Sequence, residues 1–201
     1  MNKGALFIIS GPSGTGKGTV CKELISRGDV FLSVSATTRD KRVGETDGET
    51  YHFTDKANFE KMIANGEMLE WAEYNGNYYG TPKAAVEKTL SEGRNVILEI
   101  EPQGALAVKE KMPEAVLIFV IPPSVEILKG RLLDRGRESE EEISQRLAAS
   151  IWEMEQAEKY NYIVENDVLS DCVEEISAIM ADVVDMRNKV YSLLEEAKER
   201  K

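Results

Sequence analysis

Residues 11–19 read GPSGTGKGT, directly after the apolar run LFII at 6–9 and before a stretch patterned as a helix. Gly11, then four residues, then Gly16-Lys17 is the spacing of a phosphate-binding loop. The glycines let the backbone curl until its N–H groups point inward at an anion. The positive end of the following helix and the charge of Lys17 add to that attraction. A plain glycine-rich turn between strand and helix would not account for a lysine where phosphates would sit. Gly11, Pro12, Ser13, Gly14, Thr15, Gly16, Lys17, Gly18 and Thr19 are therefore expected to bind a nucleotide, with Lys17 facing the ligand and not the core. Gly18 stands where the motif usually has Ser or Thr, whose hydroxyl binds Mg²⁺, and Thr19 follows one place later. Either Mg²⁺ is held mainly through water and substrate phosphates, or Thr19 contributes indirectly, since Mg²⁺ commonly keeps several waters.

Working outward from the loop, short apolar runs at 5–9, 30–34, 95–100, 116–121 and 162–164 read as strands. Most are near-continuously apolar, as strands covered on both faces are. Helical patterns at 17–26, 83–92, 103–111, 124–135 and 140–159 lie between them, which predicts a doubly wound α/β core with a parallel sheet. In such a core ligands sit at the carboxyl ends of the strands, where the loop already falls.

Residues 36–82 break the alternation. Tyr51-His52-Phe53 and 68–74 read as strands, 55–65 as a helix, and Asn75-Gly76 before Tyr78-Tyr79 as a hairpin turn. This is a small α+β insertion. A second break falls at 136–139, where Gly136 ends one helix and Ser139 with Glu142 forms a capping box for the next. The expected division is a single domain over 1–201: core 1–35, 83–135 and 160–201, insertion 36–82, and a flap at about 136–159. From Cys172 onward apolar residues recur at helical spacing. That helix is expected to dock on the body, with the stretch past Asp185 free to join a second subunit instead.

The chain of 201 residues carries a net charge of −11 and 42% hydrophobic residues. The charge argues against a nucleic-acid-binding surface. It also requires the positive charge for nucleotide phosphates to be local, and Lys17, Arg39, Arg42, Arg131, Arg135, Arg137 and Arg146 are the candidates. No run approaches a membrane helix, and the start lacks the order of a signal peptide. Cys21 and Cys172 have no metal-ligand spacing, so a reduced cytoplasmic protein is expected. His52, the only histidine, points opposite Tyr51 on its strand and reads as a surface residue, not a general base. Trp71 and Trp152 read as packing residues.

The insertion holds a second phosphate-like set, Ser35-Ala36-Thr37-Thr38-Arg39, then Arg42 and Tyr51. Two arginines and a tyrosine hydroxyl can hold a monophosphate by charge-assisted hydrogen bonds. Read together, SVSATTRDKRVGETDGETYHF, EMLEWAEYNGNYYGT, ILEIEPQG and LKGRLLDRGRESEEEISQRL, with GPSGTGKGT, closely resemble the guanylate kinase family in matching order over about residues 4–185. The resemblance implies a P-loop nucleoside monophosphate kinase with a helical lid that transfers the γ-phosphoryl group of ATP to GMP, with Mg²⁺, in purine nucleotide metabolism. It implies that Arg39, Arg42, Tyr51 and Tyr79 bind the GMP phosphate, and that Ser35, Glu70, Thr81 and Glu101 face the guanine.

Glu70 also makes chemical sense unaided. Guanine presents N1–H and a 2-amino group side by side, and a carboxylate accepts from both, whereas adenine would leave it unpaired. Glu99, at the end of a strand where the family usually has aspartate, is implied to hold the water shell of Mg²⁺. Arg131 and Arg135 share a helix face. With Lys17, Arg42 and Arg146 they are implied to be the catalytic cations, the lid arginines clamping the phosphates of both nucleotides. Arg137 reaches the adenine or pairs with the acidic run at 138–142, and Asn166 is implied to lie near the adenine. A non-catalytic interaction module of the same fold is disfavoured by the intact loop, and a kinase for another acceptor by Glu70. The expected quaternary state is monomer or homodimer.

Overall fold

The computed structural model describes residues 3–28, 30–74, 76–133 and 140–199. In chain order, β1 (Leu6–Ser10), α1 (Lys17–Ser26) and β2 (Val30–Leu32) begin the core. The insertion follows as β3 (Ala36–Thr37), β4 (His52–Phe53), α2 (Lys56–Ala64), β5 (Met68–Tyr74) and β6 (Asn77–Pro82). The chain then returns through α3 (Lys83–Ser91), β7 (Asn95–Glu99), α4 (Pro102–Lys111), β8 (Val116–Ile121) and α5 (Val125–Leu133). Helix α6 (Glu140–Glu155), a 3₁₀ turn (Gln156–Lys159), β9 (Tyr162–Glu165) and α7 (Leu169–Glu199) complete it.

The core sheet has five strands in the order β2-β7-β1-β8-β9, every pair parallel. Strand β1 lies at its centre, and Leu6 to Ser10 are all buried, which is why this run is apolar without alternation. Alternate faces of the sheet feed two apolar layers. Phe7 and Ile9 pack with Val20 and Leu24 of α1 and with Val173 and Ile176 of α7. Leu6 and Ile8 pack with Val86 and Leu90 of α3 and with Ala105 and Val108 of α4. Helices on both faces of a parallel sheet are the doubly wound α/β core that the alternation predicts.

The insertion forms a second, four-stranded sheet in the order β4-β3-β6-β5, with a small core of Ala36, Phe59 and Met68. Gly76, at φ 73, turns the β5–β6 hairpin. The carboxylate of Asp55 caps α2 by accepting from the Asn58 N–H. Strand β3 went unseen in the sequence, because two residues carry no period and its pairing partners lie sixteen and more than forty residues away. The two tryptophans correct their expectation: Trp71 is 45% and Trp152 51% exposed. Trp71 meets only the edge of Tyr78 among its ring contacts in the described residues. The break at Gly136 and Ser139 lies outside the described residues, as does the side chain of Glu142. Among the described residues no helix is long and apolar enough to cross a membrane.

Candidate active site

Strand β1 delivers the loop to the carboxyl edge of the sheet beside β7 and β8. At Gly11, φ 143, a side chain would run into the carbonyl of Val120 on β8. At Gly16, φ 88, it would meet Asn166 Nδ2 at 2.6 Å, so glycine is required at both positions for space as well as conformation. The Asn166 amide donates to Thr15 O at 2.7 Å, and Thr15 Oγ1 donates to Pro12 O at 2.9 Å. Asn166 thus braces the loop from the turn after β9.

Lys17 lines the cavity at the loop. It is only 7% exposed, and its ammonium donates to Gly11 O and, at 3.0 Å, to Pro12 O. A buried ammonium must keep acceptors around it, and the loop's own carbonyls supply them.

Two carboxylates face this loop. Glu99 ends β7, and a Cβ at residue 18 would lie 3.4 Å from its Oε1. The motif departure at Gly18 and the glutamate at 99 are therefore matched: the longer acid takes the room that a hydroxyl-bearing side chain would need. Burial pushes the Glu99 carboxyl above the usual range, while Lys17 pulls it down. Glu101, expected against the guanine, has its ion pair here with Lys17, at 3.9 Å. Both acids, Thr19, Lys22 and the loop line one cavity of about 330 Å³. No group of three His, Cys, Asp or Glu side chains forms a metal cage among the described residues.

Helix α6 reaches the loop from the other side. Arg146 Nη2 donates to Ser13 Oγ at 2.6 Å, and the Ser13 N–H donates to Glu153 Oε2 at 3.4 Å. Burial, reinforced by Glu101, pushes the Glu153 carboxyl up to about 7 against the pull of Lys17. The sequence reading passed over Glu153. Its signal is its spacing two turns from Arg146, which puts both on one helix face. Arg131 Nη2 donates to Asn166 O at 2.9 Å, and its Nη1 is buried without a partner among the described residues. Arg135 and Arg137 lie outside the described residues.

In the insertion, Glu70 is 5% exposed. Plain alternation along β5 would leave it on the open face, but Met68, Leu69 and Glu70 are all buried, and the register with β6 shifts between Met68 and Glu70. Thr81 Oγ1, directly opposite on β6, donates to Glu70 Oε1 at 2.7 Å. Burial raises the Glu70 carboxyl, while the hydrogen bonds from Thr81 and the charge of Lys111 lower it. Lys111, at the end of α4, donates to Leu69 O at 2.6 Å. Also on α4, Gly104 leaves the carboxylate its space: a Cβ there would lie 2.7 Å from Glu70 Oε2.

Arg39 makes a fork-to-fork pair with Glu45, at 3.0 and 2.6 Å, and its guanidinium lies 5.5 Å from the Tyr51 ring centroid. The hydrogen bonds that Arg39 donates to Glu45 and Tyr79 raise its pKa. Tyr51 and Tyr79 meet edge to face at 6.0 Å, so Arg39 and both tyrosines form one cluster. Arg42 is exposed, and its backbone N–H donates to Glu45 Oε2 at 2.7 Å. Ser35, just before β3, accepts from the His52 N–H at 2.9 Å through its carbonyl. His52 itself is exposed.

The molecule thus carries a glycine-rich loop with a buried lysine on its parallel core, and an arginine–tyrosine cluster and a buried carboxylate on its insertion. A family model described as guanylate kinase matches residues 3–183. A guanylate kinase of Clostridium perfringens is 54% identical over 180 residues, covering 89% of this chain and 83% of that protein. One of Bacillus cereus is 48% identical over 199 residues, covering 98% and 97%. The crystal structure of guanylate kinase from Anaplasma phagocytophilum superposes with a TM-score of 0.76 at 32% identity, covering 90% of this chain and 87% of that one.

Proposed function

Because this chain belongs to the guanylate kinase family and is an ATP:GMP phosphotransferase, we propose how its residues divide that reaction. ATP lies with its phosphates on the loop at 11–19. Lys17 turns from the carbonyls of Gly11 and Pro12 to phosphate oxygens, exchanging one set of acceptors for another. GMP lies in the insertion, its phosphate on Arg39, Arg42, Tyr51 and Tyr79. Its guanine edge meets Glu70, with Ser35 and Thr81 beside it. Glu101 lines the loop cavity and pairs with Lys17 at 3.9 Å.

The reaction needs no strong base, because the attacking oxygen of the GMP phosphate is already anionic. That oxygen forms a bond to the γ-phosphorus as the bond to the bridging oxygen of ADP breaks, and ADP leaves as GDP forms. Catalysis is positioning and charge neutralisation. Arg131, whose Nη1 is buried without a partner among the described residues, and Arg146, held at Ser13, neutralise charge together with Arg135 of the lid. Arg137 is assigned to the adenine. Asn166 acts on ATP through the shape of the loop it braces.

Mg²⁺ fits this site on the terms the donor set allows. Glu99 through water, with Thr19 nearby, would hold an ion coordinated mainly by phosphate oxygens and water, and the ion would supply further charge neutralisation. Two free, buried thiols, Cys21 and Cys172, suit a reducing compartment and support a cytoplasmic location.

The observation that carries the acceptor assignment is the burial of Glu70 with Thr81 on one oxygen and the space of Gly104 at the other. Two charge-assisted hydrogen bonds to guanine are at stake there. Glu70→Gln should therefore weaken use of GMP by at least about tenfold and narrow the preference for GMP over AMP. KM for ATP should stay unchanged. A coupled assay of ADP release with GMP, AMP, CMP and UMP on both proteins tests this, and unchanged GMP kinetics in a folded variant would refute it.

A further inference from the structure

Strand β5 carries one residue more than β6 can pair. Met68 stands opposite Pro82 and Glu70 opposite Thr81, so Leu69 between them has no partner in the register. An extra residue of this kind bends its strand and leaves its own backbone groups outside the ladder. The side chains of Met68, Leu69 and Glu70 are all buried here, each in a different place. Met68 enters the small core of the insertion, and Leu69 enters the core layer shared with α3 and α4. Glu70 turns to the site, with its Oε2 in the space left by Gly104. A one-residue slip would exchange these destinations and carry the carboxylate out of the site.

The bulge is held from outside the insertion. Gly104, Ala105, Val108 and Lys111 share one face of α4 by their spacing. Ala105 and Val108 pack in the same layer as Leu69. At the end of that face the Lys111 ammonium donates to Leu69 O at 2.6 Å. A carbonyl outside the ladder needs a donor, and Lys111 supplies a charged one. Lys109, in the same last turn, donates instead to Ala115 O at 2.6 Å, just past its own helix.

We propose that Lys111 is a positioning residue for the acceptor nucleotide: through Leu69 it locks the bulge that aims the Glu70 carboxylate at guanine. The proposal rests on the reading of Glu70 as the acid that meets guanine N1–H and the 2-amino group. The charge of Lys111 works in the same direction as its hydrogen bond. Burial raises the Glu70 carboxyl, while the hydrogen bonds from Thr81 and the charge of Lys111 lower it. Removing that charge leaves more of the carboxyl protonated at a given pH, and the protonated form cannot accept both guanine hydrogens.

Lys111→Met keeps the apolar stem and removes both donor and charge. KM for GMP should rise about fivefold, the scale of one hydrogen bond, with kcat, KM for ATP and the circular dichroism spectrum unchanged. The acid limb of kcat/KM for GMP should move to higher pH. Carbon NMR of the Glu70 carboxyl in the ligand-free protein, assigned with Glu70→Gln, should show the same upward movement. Lys111→Arg keeps a donor and the charge and should recover most of the KM. Lys109→Met should leave KM for GMP at the wild-type value. A wild-type KM for GMP in Lys111→Met, or an unmoved Glu70 titration, overturns the proposal. So does a loss that falls equally on ATP, that Lys109→Met reproduces, or that Lys111→Arg does not relieve. Glu70→Gln separates this proposal from the reading beneath it. If that variant spares GMP kinetics, the guanine assignment fails and the proposal with it. A Glu70→Gln loss beside a silent Lys111→Met refutes the role of Lys111 alone.

Discussion

The two halves of the site are built in opposite ways. The phosphate loop is a contiguous stretch at one strand-to-helix junction, and its carbonyls, N–H groups and lysine satisfy one another locally. The acceptor side is an assembly, with a carboxylate on β5, a hydroxyl on β6, and a lysine and a glycine on α4 that meet only after the insertion folds against the core. Local construction makes a loop whose chemistry is contiguous and which distant residues, Asn166 and Arg146, only brace. Assembled construction ties substrate choice to the seating of one sheet on one helix.

The strongest test of this contrast is Lys17→Ala. It should lower kcat by at least about a hundredfold, the scale of losing one preorganised donor to transition-state charge, while circular dichroism stays native. Near-native turnover would show that the loop works without its cation. Arg146→Ala should lower kcat by about tenfold or more and affect KM for GMP less, because its contact is to Ser13 of the loop. Equal losses in kcat and GMP affinity would move Arg146 to the acceptor side.

Gly104→Ala probes the assembled half from the core. The added methyl displaces the Glu70 carboxylate, so KM for GMP should rise several-fold, with KM for ATP unchanged. In a Glu70→Gln background the same change should add little, since contacting residues share one effect. Full additivity would separate Gly104 from Glu70. The pH dependence sharpens the same point. Burial raises the Glu70 carboxyl, and guanine needs its ionised form. kcat/KM for GMP should therefore fall on the acid side at a higher pH than an ordinary carboxylate dictates, and Glu70→Gln should lose that limb.

The smallest effect concerns stability. Glu153 titrates at about 7 in the folded protein against an ordinary value of 4.5. A raised acid pKa means that the folded state holds the proton longer, so stability falls as pH rises through that window. Glu153→Gln should raise Tm at pH 8, and the difference from wild type should shrink toward pH 5. A constant difference across that range would mean that Glu153 does not titrate there.

What the sequence made legible follows the same divide. The core strands and helices could be read because burial on both faces leaves near-continuous apolar runs, and the loop because its chemistry is contiguous. Glu70 stood out for its fit to guanine, but its burial depends on a register shift that no pattern in MLEWAEY announces. Strand β3 was invisible because its two residues pair only with distant ones. Glu153 was overlooked because a lone acid in an acid-rich helix looks like solvated surface. Lys17 was legible as the cation of the loop, but a sequence does not say that a lysine can satisfy itself on the carbonyls that precede it.

The pair between Arg39 and Glu45 has a consequence for how an anionic substrate enters an anionic protein. The guanidinium fork is already filled by a carboxylate of matching shape, which Arg42 also holds through its backbone. On the proposed assignment, an arriving phosphate replaces a resident look-alike and does not settle on a bare cation. Glu45 is a tethered understudy. While it holds the part, the insertion shows solvent little unbalanced positive charge, and inorganic anions find the place taken. Entry is then an exchange of partners, and discrimination falls to what Glu45 cannot imitate: the nucleoside attached to the phosphate.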